Sequence, residues 1–429
     1  MPPVSFLGMR ATNDFTVDGQ RPKNWREGIL KLYPNGTAPL TALLALMRTE
    51  KTDDPEFNWY TQQFAMQAVN TTGVFTDAGL STAVAAPSAL GDRLYIQMIA
   101  ADVKNFKVGH TVLLRNEEDP VLDTQTLVVD RVVAGAASYI CVQLLQSGPT
   151  TATGTALLLD SANVNRALVT GSAHAEGALI PEAITYDPRK WMNYTQIFRN
   201  SLDITRTAKL TRLRTGPEYQ RQKAHCLELH SVEQEKAYLF GTPSEQIGEN
   251  GKPLRTTGGL LWAIKNGGGL QSTFTAATPT DWLDNGLDWF EENLMNIFNF
   301  GSDEKLAFAG NSALLALNQL ARKYGTWNFT TATRAFGIDV NEFVTPFGKI
   351  VVKTHPLFSM EPTNQRSMVI FEPKNIRFRY ITDTTFFDDD QKQGHHRYDG
   401  LKEEYLTEAG LEYHHPQGWG WLNGIGARP

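Results

Sequence analysis

The stretch GPEYQRQKAHCLELHSVEQEKAYLFG, Gly216 to Gly241, decides how the rest of the chain is read. Pro217 stands in a first turn, where its missing N–H is harmless, and Thr215 and Glu218 are in capping-box spacing. Gly241, followed by Pro243, closes the segment. Roughly 25 residues at 1.5 Å each predict a rod about 37 Å long. Its apolar positions, Cys226, Leu229, Val232, Leu239 and Phe240, gather in the second half, and the first half offers Tyr219 and little else. A helix with so narrow an apolar stripe gains limited stability from one core. It is expected to lie on a surface, or to be flanked by something outside the chain.

Upstream, MNYTQIFRNSLDITRTAKL (192–210) alternates like a strand and runs into a basic patch of Arg199, Arg206, Lys209, Arg212 and Arg214. The chain has 46 acidic against 40 basic side chains, so these residues are expected to pair with carboxylates, within the subunit or across an interface. Further upstream, residues 91–172 hold six short β-branched runs: DRLYIQMIA, FKVGHTVLLR, QTLVVDRVV, SYICVQLL, GTALLLD and NRALVTG. Turn residues separate them, which predicts a small all-β module, a barrel by strand spacing. Small-residue sequence on both sides, including the expected flexible connection TTGVFTDAGLSTAVAAPSAL, marks it as an insertion. TAPLTALLALMRTE (37–50) reads as a short helix after an extended arm, and FNWYTQQF (57–64) as strand-like.

Downstream the pattern becomes α/β. TPTDWLDNGLDWFEENLMNIFNF repeats Leu283, Leu287, Phe290, Leu294 and Ile297 at helical spacing, with Thr280 as candidate cap. KLAFAG is a short buried strand and NSALLALNQLARKYG a helix. FVTPFGKIVVKTHPLF and RSMVIFEPKNIRFRYI are strands, and the chain ends in a closing strand pair.

With 429 residues, 41% of them hydrophobic, the chain is long enough for two or three domains with real cores. A net charge of −6 gives no basic footprint for sequence-specific DNA binding. Cys141 and Cys226 are too few and too far apart for a disulfide framework. No apolar run reaches the length of a membrane span, and MPPVSFLGMRATNDF has no basic-then-apolar signal, so synthesis in the cytosol is expected. The sequons at Asn70, Asn193 and Asn328 then carry no glycan.

Catalytic motifs are missing: there is no GxSxG, P-loop, HExxH or dinucleotide fingerprint. NGGGL (266–270) reads as a loop rather than a phosphate cradle. His225 and His230, five apart on a helix, point to different faces and do not form a metal pair. Asp388, Asp389 and Asp390 near His395 and His396 have the right ligand types for a metal, but the plain reading is a solvated loop. His414 and His415 are expected to pack among aromatics. No catalytic, cofactor-binding or metal residue is assigned, and a building block is favoured over an enzyme.

The order of these elements resembles the major capsid proteins of tailed bacteriophages, whose fold is shared with encapsulins and the herpesvirus capsid floor. The resemblance spans nearly the whole chain. It is carried by PLTALLALM with FNWYTQQF, NYTQIFRNSLDITRTA, the 218–241 helix with RTTGGL, VTPFGKIVVKTHPLF, and LKEEYLTEAGLEYHHPQGWGWLNGI. It implies an α+β fold with an N-terminal arm and first helix (1–75) and an E-loop hairpin (76–200) carrying the β-barrel-like insertion at 91–172. A peripheral domain (201–254) with spine helix 216–241, an axial α/β domain (255–365) and peripheral return strands (366–429) follow. It also implies a non-enzymatic shell subunit that forms hexamers and pentamers of itself around double-stranded DNA, ending in the virion. Portal, scaffolding and decoration proteins are the implied partners, with scaffolding supplied as a separate protein, and no cofactor or membrane is involved. Arg199, Arg206, Arg212, Arg214, Arg221 and Lys223 are the candidate subunit-interface residues. An encapsulin-like cellular compartment is the alternative, and a glycan- or substrate-binding protein using the β module a third.

Overall fold

The computed structural model describes residues 48–427 apart from 63–66, 152, 212–216, 279, 325–328, 336–337 and 389–399. The helix expected at 37–50 lies mostly outside these residues. Its last part, Arg48–Lys51, is a strand, paired in parallel with Arg377–Tyr380. The pairing explains the departure: Glu50 is gripped by Arg377 at 2.8 Å and Arg379 at 2.9 Å, so backbone ladder and ion pairs override a local helical preference. The described chain falls into two compact units, one formed by residues 62–189 and the other by the chain on either side.

Unit 62–189 is an antiparallel barrel. Its strands run in the order Ala68–Asn70, Arg166–Ser172, His110–Arg115, Thr124–Val132, Tyr139–Leu144, Arg93–Gln97, Gly73–Phe75. The first and last of these are consecutive in sequence, and the link between them bonds both edges: Thr71 N–H donates to Asn165 and Thr72 N–H to Gln97. The segment 68–75 therefore bonds to both ends of the sheet and closes it on itself. Alternate residues, among them Val112, Leu114, Ile96, Ile140 and Val142, fill the interior. Two expectations are corrected. The small-residue segment after Asn70 is no loose connection, because Val74 and Val84 are core residues. The leucine run GTALLLD is not a strand; beyond an isolated bridge between Thr150 and Ala156 it has no ladder, and it contributes Leu159 to the core instead.

The other unit contains a seven-stranded mixed sheet ordered Leu270–Thr273, Gly420–Asn423, Met368–Phe371, Glu304–Ala309, Gly348–Thr354, Ile338–Thr345, Phe329–Ala335. Helices Asp281–Phe298 and Asn311–Tyr324 share its core, with Phe290, Leu294, Ile297, Leu317 and Leu320 packed with Ala307, Ile350 and Leu422. Thr280 makes no side-chain cap; instead Asp281, the first helical residue, ties the preceding loop to the helix by accepting the Ala277 N–H at 2.9 Å. Lys305 is fully buried on the central strand, and its ammonium donates to Phe300 O (2.7 Å), Gly418 O (2.7 Å) and Glu372 (2.9 Å).

A second sheet orders Arg48–Lys51, Ile376–Phe387, Gly400–Tyr413 and Gln196–Thr205. Beside it, Glu56–Thr61 pairs with Arg189–Tyr194. Asn193, one of the three sequon residues, is completely buried and makes four hydrogen bonds: its amide donates to Leu411 O and Gly258 O, and its oxygen accepts from Gly258 and Tyr194 N–H. That clamp holds the 190s strand against the start of helix Leu260–Gly267.

Candidate functional site: the long helix and its basic flank

The long helix spans Glu218–Phe240. Pro217 precedes it as the cap residue with no side-chain capping bond; Thr215 lies outside the described residues. At the far end Gly241 has φ −60°, so no left-handed conformation demands glycine. Close approach does. A Cβ there would stand 2.4 Å from Ala237 O and 2.5 Å from Thr257 O.

The helix packs on strands Gln196–Thr205 and Gly400–Tyr413, and the face it buries follows the apolar residues only in part. Leu227 and Leu229 are 40% and 46% exposed, and Phe240 is also exposed. The buried positions are Cys226, His230, Gln234, Glu235, Tyr238 and Leu239, a series at four-residue spacing that is polar through its middle. Each polar member has a partner. Asn200 donates its amide to Glu233 at 3.0 Å, which leaves its oxygen to accept from His230 Nδ1 at 2.7 Å. His230 Nε2 then accepts from the Thr407 hydroxyl at 2.8 Å. Thr407 in turn accepts from Gln234 at 3.0 Å and sits 2.9 Å from the Thr384 hydroxyl. Burial holds the His230 imidazole below its ordinary value, with Glu233 partly opposing, in keeping with a ring that accepts at one nitrogen. Deeper in, His355 Nδ1 accepts the Leu357 N–H, and Nε2 faces Glu235 at 3.1 Å, both side chains fully buried. Tyr238 and Leu239 supply the apolar end, where Tyr238 meets Phe198 and Phe378 edge-on.

The basic flank is largely engaged within the chain. Arg199 forms a fork with Glu404 across adjacent strands, Nε to Oε2 at 3.0 Å and Nη2 to Oε1 at 2.5 Å, and this hydrogen bonding raises its pKa. Arg206 opens the short helix Arg206–Leu210 and is exposed. Arg212 and Arg214 lie outside the described residues. Arg221 is exposed and pairs with Glu218 one turn back. Lys223 does not project freely: its ammonium sits 3.4 Å from the centroid of the Phe386 ring. The polar first half of the helix also has contacts within the chain. Tyr219 and Lys223 turn inward, and Tyr219 donates to Glu403 at 2.8 Å.

The polar seam escaped a reading based on hydrophobic period, which is blind to hydrogen-bonded burial. The visible signal was the recurrence of Cys226, His230, Gln234 and Tyr238 every fourth residue. His225 is exposed and His230 buried, so the two do point to different faces. Gly268 (φ 82°) ends helix Leu260–Gly267, so NGGGL presents the carbonyl end of a helix, the wrong end for a phosphate. Of the acidic loop, Asp388 is described, and Asp389, Asp390, His395 and His396 are not. His414 does pack against Trp59, and its Nε2 meets Glu412 at 2.6 Å. Among the described residues no group of three or more His, Cys, Asp or Glu could hold a metal, and no helix is long and apolar enough to cross a membrane.

The chain is 23% identical over 422 residues to the major capsid protein of Pseudomonas phage PaMx41, covering 94% of this chain and 92% of that one. Among solved structures it is similar to the capsid of a native GTA particle, at TM-score 0.46 and 8% identity over 97% of this chain and 99% of that chain. It is also similar to the capsid of Myoviridae phage XM1, at 0.38 and 12% over 59% and 81%. The holo-SrpI encapsulin complex from Synechococcus elongatus PCC 7942 gives 0.37 and 12% over 56% and 76%. The model of one family runs through both units, from residue 10 to residue 426, and by that match the chain belongs to the SU10 major capsid protein family.

Proposed function

We propose that this major capsid protein assembles with copies of itself, as hexamers and pentamers, into an icosahedral shell around double-stranded DNA. The observation that carries the reading is the family match over residues 10–426. It favours a phage shell over a cellular compartment and over a glycan-binding role for the barrel. In this assignment the Glu218–Phe240 helix is the spine of the peripheral domain, the chain from 76 to 200 is the E-loop region with the barrel inserted, and 255–365 is the axial domain. The protein acts as a structural component and not as an enzyme. It is made in the host bacterial cytoplasm and works with portal, scaffolding and in some shells decoration proteins. Inter-subunit burial adds stability to what the single chain holds, because anything that binds only the folded state stabilises it.

Within that reading, exposed Arg221 and Arg206, with Arg212 and Arg214, are the members of the basic flank proposed for contact with a neighbouring subunit. Arg199 and Lys223 shape that surface through Glu404 and Phe386. Electron microscopy of the purified protein, alone and co-expressed with scaffolding and portal proteins, tests the function. Closed shells are expected, and dilute monomers persisting under all of these conditions would overturn it.

A further inference from the structure

Between the long helix and helix Leu260–Gly267 the chain makes a detour. Ser244–Ile247 and Pro253–Thr256 pair as an antiparallel ribbon of two strands, joined by the turn 248–252. Its root is fixed. Gly259 N–H donates to Gly241 O at 2.9 Å, which draws the two ends of the detour together. A Cβ on Gly259 would stand 2.8 Å from both Ala237 O and Tyr238 O, so the root is packed onto the last turn of the long helix. Thr257 N–H donates to Gln196 Oε1 at 3.2 Å, and Gly258 is held by the buried Asn193. A rigid base therefore aims the ribbon.

Beyond that base the ribbon stands in solvent. Residues 245–247 and 249–254 are all exposed, Ile247 by 83% and Leu254 by 54%. A two-stranded ribbon by itself is marginally stable in water. Here it is held by four residue pairs and one partly exposed ion pair, Glu245 with Arg255 at 3.4 Å. The register puts Ile247 on one face with Pro253, Glu245 and Arg255, and Leu254 on the other with Gln246. A ribbon that offers an aliphatic side chain on each face and buries neither gains by being covered.

The charges say what covers it. Along SEQIGENGKPLRT (244–256) the order is Glu245, Glu249, Lys252, Arg255. One limb and its side of the turn are acidic, the other limb and its side are basic, and the sum is zero. Two such ribbons side by side across a two-fold axis would set like limb against like limb. Ribbons that follow one another round a ring set an acidic limb against a basic one at every step. Pro253 has no N–H, so the basic edge does not extend a backbone ladder and the contact runs through side chains.

We propose that the 244–256 ribbon is a head-to-tail contact between copies of this chain. The acidic limb of one copy, with Glu245 and Glu249, meets the basic limb of the next, with Lys252 and Arg255, and Ile247 and Leu254 are covered in the joint. The contact presupposes the proposed self-assembly and adds to it a surface and a direction.

Shell yield in electron micrographs of the full-length chain, co-expressed with scaffolding and portal proteins, tests the contact beside the thermal midpoint of the subunit. Glu249→Lys and Lys252→Glu, both at exposed turn positions, should each cut the yield several-fold while the midpoint hardly moves. The two reversals together restore opposite charges at every joint and should recover most of the yield. Ile247→Ser should lower the yield without any change of charge, and it decides the matter if a reversal fails to fold. Single variants with wild-type yield would overturn the contact alone. Single reversals that lower the yield, with no recovery in the double variant, would overturn it in favour of a different partner surface. Wild-type chains that form no shells would overturn the self-assembly and the contact together.

Discussion

His230 and Thr407 meet across the helix–sheet interface, Nε2 to Oγ1 at 2.8 Å, and Thr407 also accepts from Gln234 of the same helix and sits against the Thr384 hydroxyl. The helix is thus seated by a hydrogen-bonded seam where a leucine stripe would ordinarily do the work. A seam of this kind is stringent, because each buried donor or acceptor left unmatched costs about 1–3 kcal/mol.

Thr407→Val, nearly equal in shape, removes the donor to His230 and the acceptor for Gln234. It should destabilise the chain by about 2 kcal/mol or more, read from the urea midpoint. A loss no greater than for an exposed threonine would show that the seam is not holding the helix.

The imidazole of His230 should make stability fall in acid. Its folded pKa lies below the ordinary 6.5, so the unfolded chain takes up the proton first. Stability is full above about pH 6.5 and declines as pH falls from there through the lower folded value. His230→Gln should remove this part of the pH dependence of the thermal midpoint.

Lys305 offers a test in the seven-stranded sheet. Lys305→Met leaves Glu372 buried without its cation and should cost about 3–5 kcal/mol in chemical denaturation. Glu372 still accepts from Ser302 N–H and Asn375, so Lys305→Met with Glu372→Gln should recover part of that loss. Failure of the double variant to recover any stability would show that packing, rather than the unpaired charge, sets the cost.

Arg221→Glu separates folding from assembly. Arg221 is exposed, and its guanidinium pairs with Glu218 of its own helix. The reversal should lower shell yield in electron micrographs while moving the thermal midpoint of the subunit little. Equal damage to both would count against an interface role.

Much of the fold was legible locally. Pro217 and Gly241 bracket the helix in sequence and in structure, because caps and close approaches act over a few residues. The Asp281–Phe298 helix was legible because its apolar side chains repeat at helical spacing and do enter a core. The barrel's runs were legible from β-branched alternation, but its closure was not. Residues 68–75 look like polar linker, and only pairing with both 165–168 and 95–97 makes them the closing strand. The candidate interface was legible as charge and not as geometry, since nothing in the sequence says that Arg199 finds Glu404 or that Lys223 finds Phe386.

By itself, the sequence determined the order of elements, the span of the long helix and the absence of a recognisable catalytic motif, and that order carried the likeness to capsid proteins. Tertiary structure alone decided which face of the helix is buried. Of the apolar positions Cys226 and Leu239 are buried, but Leu229 and Phe240 are exposed, and burial went as well to His230, Gln234 and Glu235. The physical reason is that a polar side chain can be buried when its partners are supplied, and those partners, Asn200, Thr407 and His355, lie 30, 177 and 120 residues away in the chain.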